Sequence, residues 1–294
     1  MITLLVSAIL IAIVTELVHG VYIHTSMAHS YKDAQQASLL ALGGVDTATA
    51  WLKERIKTNP HVDTSTLFNG QTKAFQLEEG EIEVRIGDEH GKVSLNPIVY
   101  PNGLTNEKYY QIYTRLLQRL NLDETLADTL ADWIDIDDES RQRGAELFYY
   151  KRLPHPYIPK NGYIDSIGEL PMIKGYDLKN FTRLSPLVTP YTNGLININT
   201  ASRDVLFALT DEINEGLVDS LIRFREQNPF KDKSDILKVS GFETLGFALQ
   251  DKITVTSNIF RFFSRATVNE AVREVEAVVQ IDEGNVRIRY WRER

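Results

Sequence analysis

The feature that most constrains the fold is an uncharged apolar run at the amino terminus. Residues 2–14 carry no charge, Glu16 is the only charged residue before Lys32, and apolar side chains continue to about residue 23. A helix needs about 20 mostly apolar residues to cross a bilayer. A cleaved signal peptide would carry a basic region before such a run, which is absent here, and the small residues at 26–28 lie far beyond it. We therefore predict that residues 1–25 form a transmembrane helix, either as a non-cleaved anchor or as the start of a chain numbered from a processed terminus.

The helical pattern continues beyond this apolar run. Small or apolar residues recur every three or four positions from Ala34 to Leu52, which places them on one face of an amphipathic helix. Asn59-Pro60 ends the pattern, because proline cannot continue a helix. A helix from residue 2 to about 57 would be ~80 Å long at roughly 1.5 Å per residue. Its first half would lie in lipid, and its second half would pack on a soluble domain.

Alternating apolar and polar residues follow this helix and return only near the end of the chain. Three short stretches between residues 74 and 95, the last at Val93–Leu95, predict antiparallel strands. Phe260–Thr267 predicts a further strand, and the last strands form a hairpin around a turn at Asp282–Asn285. The intervening stretch, about half of the chain, has helical character. One sheet is therefore expected to be interrupted by a helical insertion.

These patterns predict an α+β architecture in which a long amino-terminal helix packs on an antiparallel sheet. In this interpretation, residues 26–102 hold the amphipathic half of the helix and the first strands. Residues 103–255 form the inserted helical domain, and residues 256–294 supply the closing strands.

Composition excludes several classes of protein. The chain has 294 residues, a formal net charge of −8 and no cysteine. The absence of cysteine excludes disulfides, thiol nucleophiles and thiolate metal sites. The acidic balance argues against coating of nucleic acid, since lysine and arginine carry phosphate binding. No nucleophile elbow, phosphate-binding loop or dinucleotide fingerprint is present, so we do not expect an enzyme.

The densest group of charged side chains lies at residues 132–146. Six carboxylates and two arginines fall within these fifteen residues, and the carboxylates repel one another unless a cation lies between them. Positions 1, 3, 5 and 12 of a calcium-loop spacing are taken by Asp135, Asp137, Glu139 and Glu146. Ser140 stands at position 6, where an EF-hand has glycine, so the segment is not an EF-hand by pattern.

The residues alone leave the role of this segment open. Oxygen ligands without sulfur or imidazole favour calcium over zinc or copper. Alternatively, the segment is a solvated acidic helix end whose carboxylates pair with Arg141 and Arg143. General acid–base catalysis by paired carboxylates is a third interpretation, but no accompanying pocket signal supports it.

A second informative stretch runs from Ile196 to Leu237. Its start, Ile196-Asn197-Ile198-Asn199-Thr200-Ala201-Ser202, is similar to the helix–hairpin–helix units of small DNA-binding competence proteins. In that family a glycine-rich hairpin presents backbone N–H groups to phosphate. Here the matching hairpin, residues 210–215, is acidic and lacks glycine, and its carboxylates would repel phosphate. A membrane-anchored DNA-binding protein is therefore a weaker alternative, and we expect no nucleic-acid partner.

Taken in order, the motifs resemble a known family over nearly the whole chain. The series opens with the uncharged terminal run Met-Ile-Thr-Leu-Leu; a terminal helix of this kind is shared by all pilin-like proteins, whereas the later motifs are more specific. The chain resembles the minor pseudopilin K of type II secretion systems (GspK). The motifs that carry this resemblance are Gly91-Lys92-Val93-Ser94-Leu95-Asn96-Pro97, Asp132-Trp133-Ile134-Asp135-x-Asp137-Asp138, Gly144-Ala145-Glu146-x-x-Tyr149-Tyr150, Ser166-x-x-Glu169-Leu170 and Asn197-Ile198-Asn199-Thr200-Ala201.

The resemblance implies a pilin-like fold with a large inserted domain, located at the tip of a short periplasmic pseudopilus. It also implies assembly with the minor pseudopilins I and J, single-pass anchoring in the inner membrane and calcium in the inserted domain. The calcium ligands that it implies are Asp132, Asp135, Asp137, Asp138 and Glu146. A minor pilin of a type IV pilus with the same insert is the closest alternative.

The fifth residue supports a tip position within this family. Pilin-like subunits ordinarily carry a glutamate at the fifth mature position, where it meets the amino terminus of the next subunit. If Met1 is the mature first residue, this position is Leu5. A buried glutamate without a partner would be costly in lipid, so its absence suits a subunit with nothing stacked above it. Contacts with partner helices are expected at Leu4, Leu5, Ile9 and Ile13.

Overall fold

A computed structural model describes residues 1–294, the whole chain. Eight α-helices and nine strands are joined by loops that include five short 3₁₀ segments. The helices are α1 Ile2–Thr58, α2 Glu107–Arg119, α3 Thr125–Ile134, α4 Leu147–Tyr150, α5 Leu178–Leu184, α6 Arg203–Phe207, α7 Glu215–Gln227 and α8 Leu245–Leu249. The strands are β1 Lys73–Leu77, β2 Gly80–Asp88, β3 Val93–Ser94, β4 Val188–Thr189, β5 Ile196–Asn197, β6 Ile253–Thr254, β7 Ile259–Val268, β8 Ala271–Asp282 and β9 Asn285–Glu293.

The long amino-terminal helix predicted from the sequence is confirmed. Helix α1 runs without a break from Ile2 to Thr58, and Asn59 ends it with an extended conformation before Pro60. The first half buries no residue on the rest of the chain and is long and apolar enough to cross a membrane, by length and composition. The second half buries the predicted face on the sheet. The buried apolar members of that face are Ala37, Ala41, Val45, Ala48 and Leu52.

Helix α1 packs on a five-stranded antiparallel sheet with the order β1-β2-β7-β8-β9. Its first two strands precede the helical insertion in sequence and the other three follow it, as the sequence predicts. The registers place Ile82 opposite Ala266 and Ile86 opposite Phe262. Close approach of the helix depends on Gly44, because a Cβ at this position would lie 2.3 Å from the Ser264 Oγ.

The chain leaves this sheet after Asp88 and returns to it at Ile259. The intervening residues form a second body, whose hydrophobic core is separate from the core between α1 and the sheet. Its largest buried side chains include Trp133, Tyr113 and Tyr150. The observed architecture is therefore a helix packed on a sheet, with a helical body inserted between the second and third strands in sheet order.

The prediction that Val93–Leu95 forms an antiparallel strand is wrong. Strand β3 contains only Val93–Ser94 and pairs in parallel with β4, where Val93 lies opposite Val188. A 3₁₀ turn at Glu89–Gly91 takes the chain from the five-stranded sheet into the inserted body. The alternation of apolar and polar residues correctly indicated an extended segment. Which strand it pairs with depends on tertiary packing, because the partner β4 lies almost a hundred residues further along the chain.

Candidate metal centre

Three carboxylates meet in the inserted body, at the end of α3 and the start of α4. Asp132 lies in the last turn of α3, Asp135 follows its final residue, and Glu146 directly precedes α4. One side-chain oxygen from each of the three lies within 4.8 Å of the other two, and all three residues are buried. Of the five predicted ligands, the structure thus brings together Asp132, Asp135 and Glu146.

Asp132 is fixed by groups from the loop that follows α3. Its Oδ2 accepts a hydrogen bond from the backbone N–H of Ala145 at 2.7 Å and another from the Ser140 hydroxyl at 3.2 Å. Its Oδ1 accepts one from the backbone N–H of Arg141 at 3.2 Å. Gly144 leaves room for this carboxylate, because a Cβ there would lie 1.8 Å from Oδ2.

The guanidinium group of Arg141 bridges two of the three carboxylates. Its Nη1 donates to Asp132 Oδ1 at 2.8 Å and also to Asp135 Oδ2. The sequence interpretation that paired the carboxylates with arginine is therefore correct for Arg141, although the pair is buried and not a solvated face. Arg143 instead lies 3.5 Å from Asp128.

Three carboxylate oxygens of the centre lack any hydrogen-bond partner. Both oxygens of Glu146 and the Oδ1 of Asp135 are buried and unpartnered. Burial, followed by the charges of Asp132 and Asp135, raises the pKa of Glu146 to about 8. Burial raises the pKa of Asp135 to about 6 despite the opposing effect of Arg141. The centre therefore needs a further cation or a proton to be stable, since an unpartnered buried carboxylate is costly.

The donor set fits a hard divalent cation. Three carboxylates and one guanidinium leave an excess of two negative charges when every carboxylate is ionised. All available ligands are oxygens, which calcium and magnesium prefer. The unpartnered oxygens of Asp135 and Glu146 are the ones that such an ion would contact first.

The other two predicted ligands lie outside the group of three. Asp137 and Asp138 are exposed on the loop after α3. Asp137 Oδ1 accepts a hydrogen bond from the backbone N–H of Glu139 at 2.8 Å, and Asp138 Oδ1 accepts one from the Asn161 amide at 3.4 Å. Glu139, the position 5 residue of the spacing, is also exposed.

The helix–hairpin–helix-like unit consists of α6, α7 and the acidic connection between them. Asp211 in this connection pairs with Arg115 at 3.4 Å, and Glu215 pairs with Arg119 at 2.9 Å and with Arg203 at 2.6 Å. These carboxylates are thus held by arginines of the same body.

Sequence reasoning missed the polar residues that join the two bodies. The buried Glu89, just after β2, pairs with Lys92 at 2.6 Å and with Arg261 of β7 at 2.9 Å. Its neighbour Asp88 accepts hydrogen bonds from Asn197 of β5 and from the Ser257 hydroxyl. A sequence signal could have identified Asp88 and Glu89. They are consecutive acidic residues at the end of a strand, and Lys92 follows Glu89 by three positions.

Comparison with known proteins identifies the family. Two family models match the chain, both described as type II secretion system protein K. The first covers residues 91–193 and the second residues 196–256, together more than half of the chain. The chain belongs to the type II secretion system protein K family.

Individual proteins that carry this name support the same family assignment. The type II secretion system protein K of Pseudomonas aeruginosa is 29% identical over 81% of this chain and 75% of its own length. That of Pectobacterium carotovorum is 30% identical over 68% of this chain and 65% of its own length. The family assignment decides against the type IV pilus alternative. The helix–hairpin–helix-like unit lies within the second matched segment, so the protein K family model accounts for it as well.

A solved structure shares the fold. One chain in the crystal structure of the GspK–GspI–GspJ complex from enterotoxigenic Escherichia coli aligns with a TM-score of 0.77 and 23% identity. The alignment covers 91% of this chain and 99% of that chain. The pilin-like fold with an inserted helical body, expected from the resemblance, is confirmed.

Proposed function

We propose that this member of the protein K family is the minor pseudopilin at the tip of a type II secretion pseudopilus. There it would assemble with pseudopilins I and J and promote protein export across the outer membrane. The observation that carries the proposal is the match to the protein K family models over residues 91–193 and 196–256, and the shared fold over 91% of the chain supports it. Its role would be mechanical, with no catalytic step.

The exposed half of α1 supports the membrane part of this proposal. Its large apolar side chains are exposed from Ile2 to Met27. Such a helix would hold the subunit in the inner membrane, with the sheet and the insert in the periplasm. The same side chains would pack among partner helices during assembly. The bulk of the insert would prevent another subunit from covering this one, which limits it to the tip.

Two substitutions on α1 test this assembly. Ile9 lies with Leu5 and Ile13 on the face expected to contact partner helices. Val14 lies about 140° around the helix from Ile9 at 100° per residue, and both side chains are exposed. We expect Ile9→Asn to abolish co-purification with pseudopilins I and J and to reduce secretion at least about tenfold. The matched Val14→Asn variant should retain both.

If the two variants behaved alike, the result would contradict the proposal that one face of α1 contacts the partner helices. Membrane fractionation of both variants supplies the control, because Asn in the span affects insertion of either variant to a similar degree. Retained assembly with I and J in the Ile9→Asn variant would contradict the proposed contacts.

We further propose that the acidic centre binds calcium. Asp132, Asp135 and Glu146 would hold the ion, with Asp137 and Asp138 available from the adjacent loop. Calcium would supply the positive charge that the buried carboxylates need and would fix the loop between α3 and α4. Support comes from the unpartnered oxygens of Asp135 and Glu146.

Thermal unfolding of the full chain in detergent, with calcium and then with chelator, tests this site. Binding to the folded state alone adds about 2.7 kcal/mol at a calcium concentration 100 times the dissociation constant, so the melting temperature should rise by several degrees. Glu146→Gln should remove the calcium-dependent rise, whereas the exposed Glu139→Gln should retain it. An unchanged melting temperature in the original chain would contradict the calcium site.

A further inference from the structure

A cleft lined by tyrosines and prolines lies between the inserted body and the last strand of the sheet. Its volume is about 380 Å³, within the range of small-ligand pockets. It lies outside the acidic centre, and its lining residues include no carboxylate. The aromatic and proline rings that line it belong to Tyr100, Tyr109, Tyr163, Tyr191, Pro97, Pro101 and Pro190.

The rings in this cleft are accessible. Tyr100 and Tyr163 are each about half exposed, at 49% and 48%. The Tyr109 ring packs closely on Gly194, where a Cβ would lie 2.4 Å from the ring. Aromatic rings of this kind are costly to leave in water and offer flat faces to another ring. The cleft is therefore shaped for a ligand with flat apolar rings.

The polar groups of the cleft include hydrogen-bond donors that a ligand's acceptors could meet. Thr192 is buried, and its hydroxyl has no hydrogen-bond partner within the protein. Arg289 of β9 is exposed at the other wall and can only donate. The side-chain amides of Asn106 and Asn193 also line the cleft and can both donate and accept hydrogen bonds.

We propose that this cleft binds a proline-rich segment of a partner protein in the extended polyproline II conformation. Proline rings would stack on Tyr100 and Tyr163, which is how aromatic-lined grooves recognise such segments. Proline carries no N–H, so the backbone of the segment presents only carbonyl acceptors. Arg289 and the Thr192 hydroxyl supply donors for these carbonyls, the hydroxyl after rotation of its side chain. The open cleft has room for a few residues of extended chain and not for a folded domain.

Isothermal titration calorimetry with the full chain in detergent tests the proposal. The probe is a blocked hexaproline peptide, and the comparison ligands are a blocked hexaserine peptide and a linear tetramer of N-acetylglucosamine. We expect hexaproline to bind with a dissociation constant below about 1 mM and the comparison ligands to bind at least about tenfold more weakly. Absence of hexaproline binding, or preferential binding of the sugar, would overturn the proposal.

Matched variants locate the binding to the cleft. Tyr163→Ala and Arg289→Ala should each weaken hexaproline binding about fivefold to tenfold. The controls, Tyr31→Ala on α1 and Arg287→Ala on β9, alter exposed residues outside the cleft and should stay within about twofold of the original chain. Equal affinities for cleft and control variants would overturn the proposed location.

Thr192→Val separates a binding role from a structural one. The substitution keeps the shape of the side chain and removes the unpartnered hydroxyl, so folding alone predicts equal or higher thermal stability. The proposal predicts a loss of hexaproline affinity of about threefold or more in this stable variant. Unchanged affinity would remove Thr192 from the proposed site.

Discussion

At the scale of single residues, Gly144 determines whether Asp132 keeps its place in the acidic centre. A Cβ at residue 144 would lie 1.8 Å from Asp132 Oδ2 and 2.6 Å from its Cγ. Because Asp132 is completely buried, it cannot move aside easily. We expect Gly144→Ala to lower the free energy of unfolding by about 1–3 kcal/mol, as overpacked interiors do.

The control for this substitution is Gly43→Ala on α1. A Cβ at residue 43 meets nothing within 4 Å, so alanine there should stabilise the helix by about 0.5–1 kcal/mol. Chemical denaturation of both variants in detergent measures the two changes in the free energy of unfolding. A Gly144→Ala variant as stable as the original chain would show that the acidic centre tolerates a shift of Asp132.

The sequence predicted an acidic centre but not which carboxylates meet in it. Residue spacing treats Asp135, Asp137 and Glu139 alike, because it counts positions along the chain. In the structure, the chain turns out of α3 at Asp135, and the following residues are exposed. The insertion of Arg141 between Asp132 and Asp135 depends on how the loop folds back. Local spacing carries no information about that fold.

At the scale of elements, the attachment of α1 to the sheet depends on a few fully buried side chains. Leu52 is 0% exposed in the core between the helix and the sheet, whereas Leu39 on the same helix is 69% exposed. We expect Leu52→Ala to cost about 2–5 kcal/mol because it leaves a cavity, and Leu39→Ala to cost less than about 1 kcal/mol. Denaturant titrations of both variants measure the difference, and equal costs would contradict the described helix packing.

Long elements could be predicted from the sequence, whereas two-residue strands could not. Helix α1 and strands β7, β8 and β9 each contain at least nine residues, so their periodicity repeats enough to identify them. Strands β3 and β4 contain two residues each and pair across the inserted body. Their existence follows from the packing of that body, and no repeating local pattern can reveal it.

At the scale of the whole molecule, polar residues connect two separate hydrophobic cores. Glu89 accepts hydrogen bonds from Arg261 of the five-stranded sheet and from Thr189 of β4 in the inserted body. Arg261 also pairs with Glu276 of β8 at 2.5 Å. The orientation of the insert relative to the sheet is therefore fixed in part by buried charge. A tip subunit needs this fixed orientation if its insert is to block further addition.

The buried Glu89 should make the stability of the molecule depend on pH in the acidic range. Burial alone would raise the pKa of Glu89, but the charges and hydrogen bonds of Lys92 and Arg261 outweigh it and lower the pKa to about 2. A carboxyl whose folded pKa is depressed stabilises the folded state above its unfolded pKa of about 4.5, and this contribution is lost as the pH falls towards 2. The shift corresponds to about 3 kcal/mol at neutral pH.

Replacing Glu89 by glutamine should remove this dependence. We expect Glu89→Gln to lower the free energy of unfolding by about 3–5 kcal/mol at pH 7, because Arg261 loses a buried partner. The difference from the original chain should shrink as the pH falls from 4.5 towards 2, where Glu89 itself becomes protonated. Denaturant unfolding of the full chain across this range measures both effects. The exposed Glu270→Gln variant should follow the original chain throughout, and a Glu89→Gln variant that did the same would show that other contacts hold the insert on the sheet.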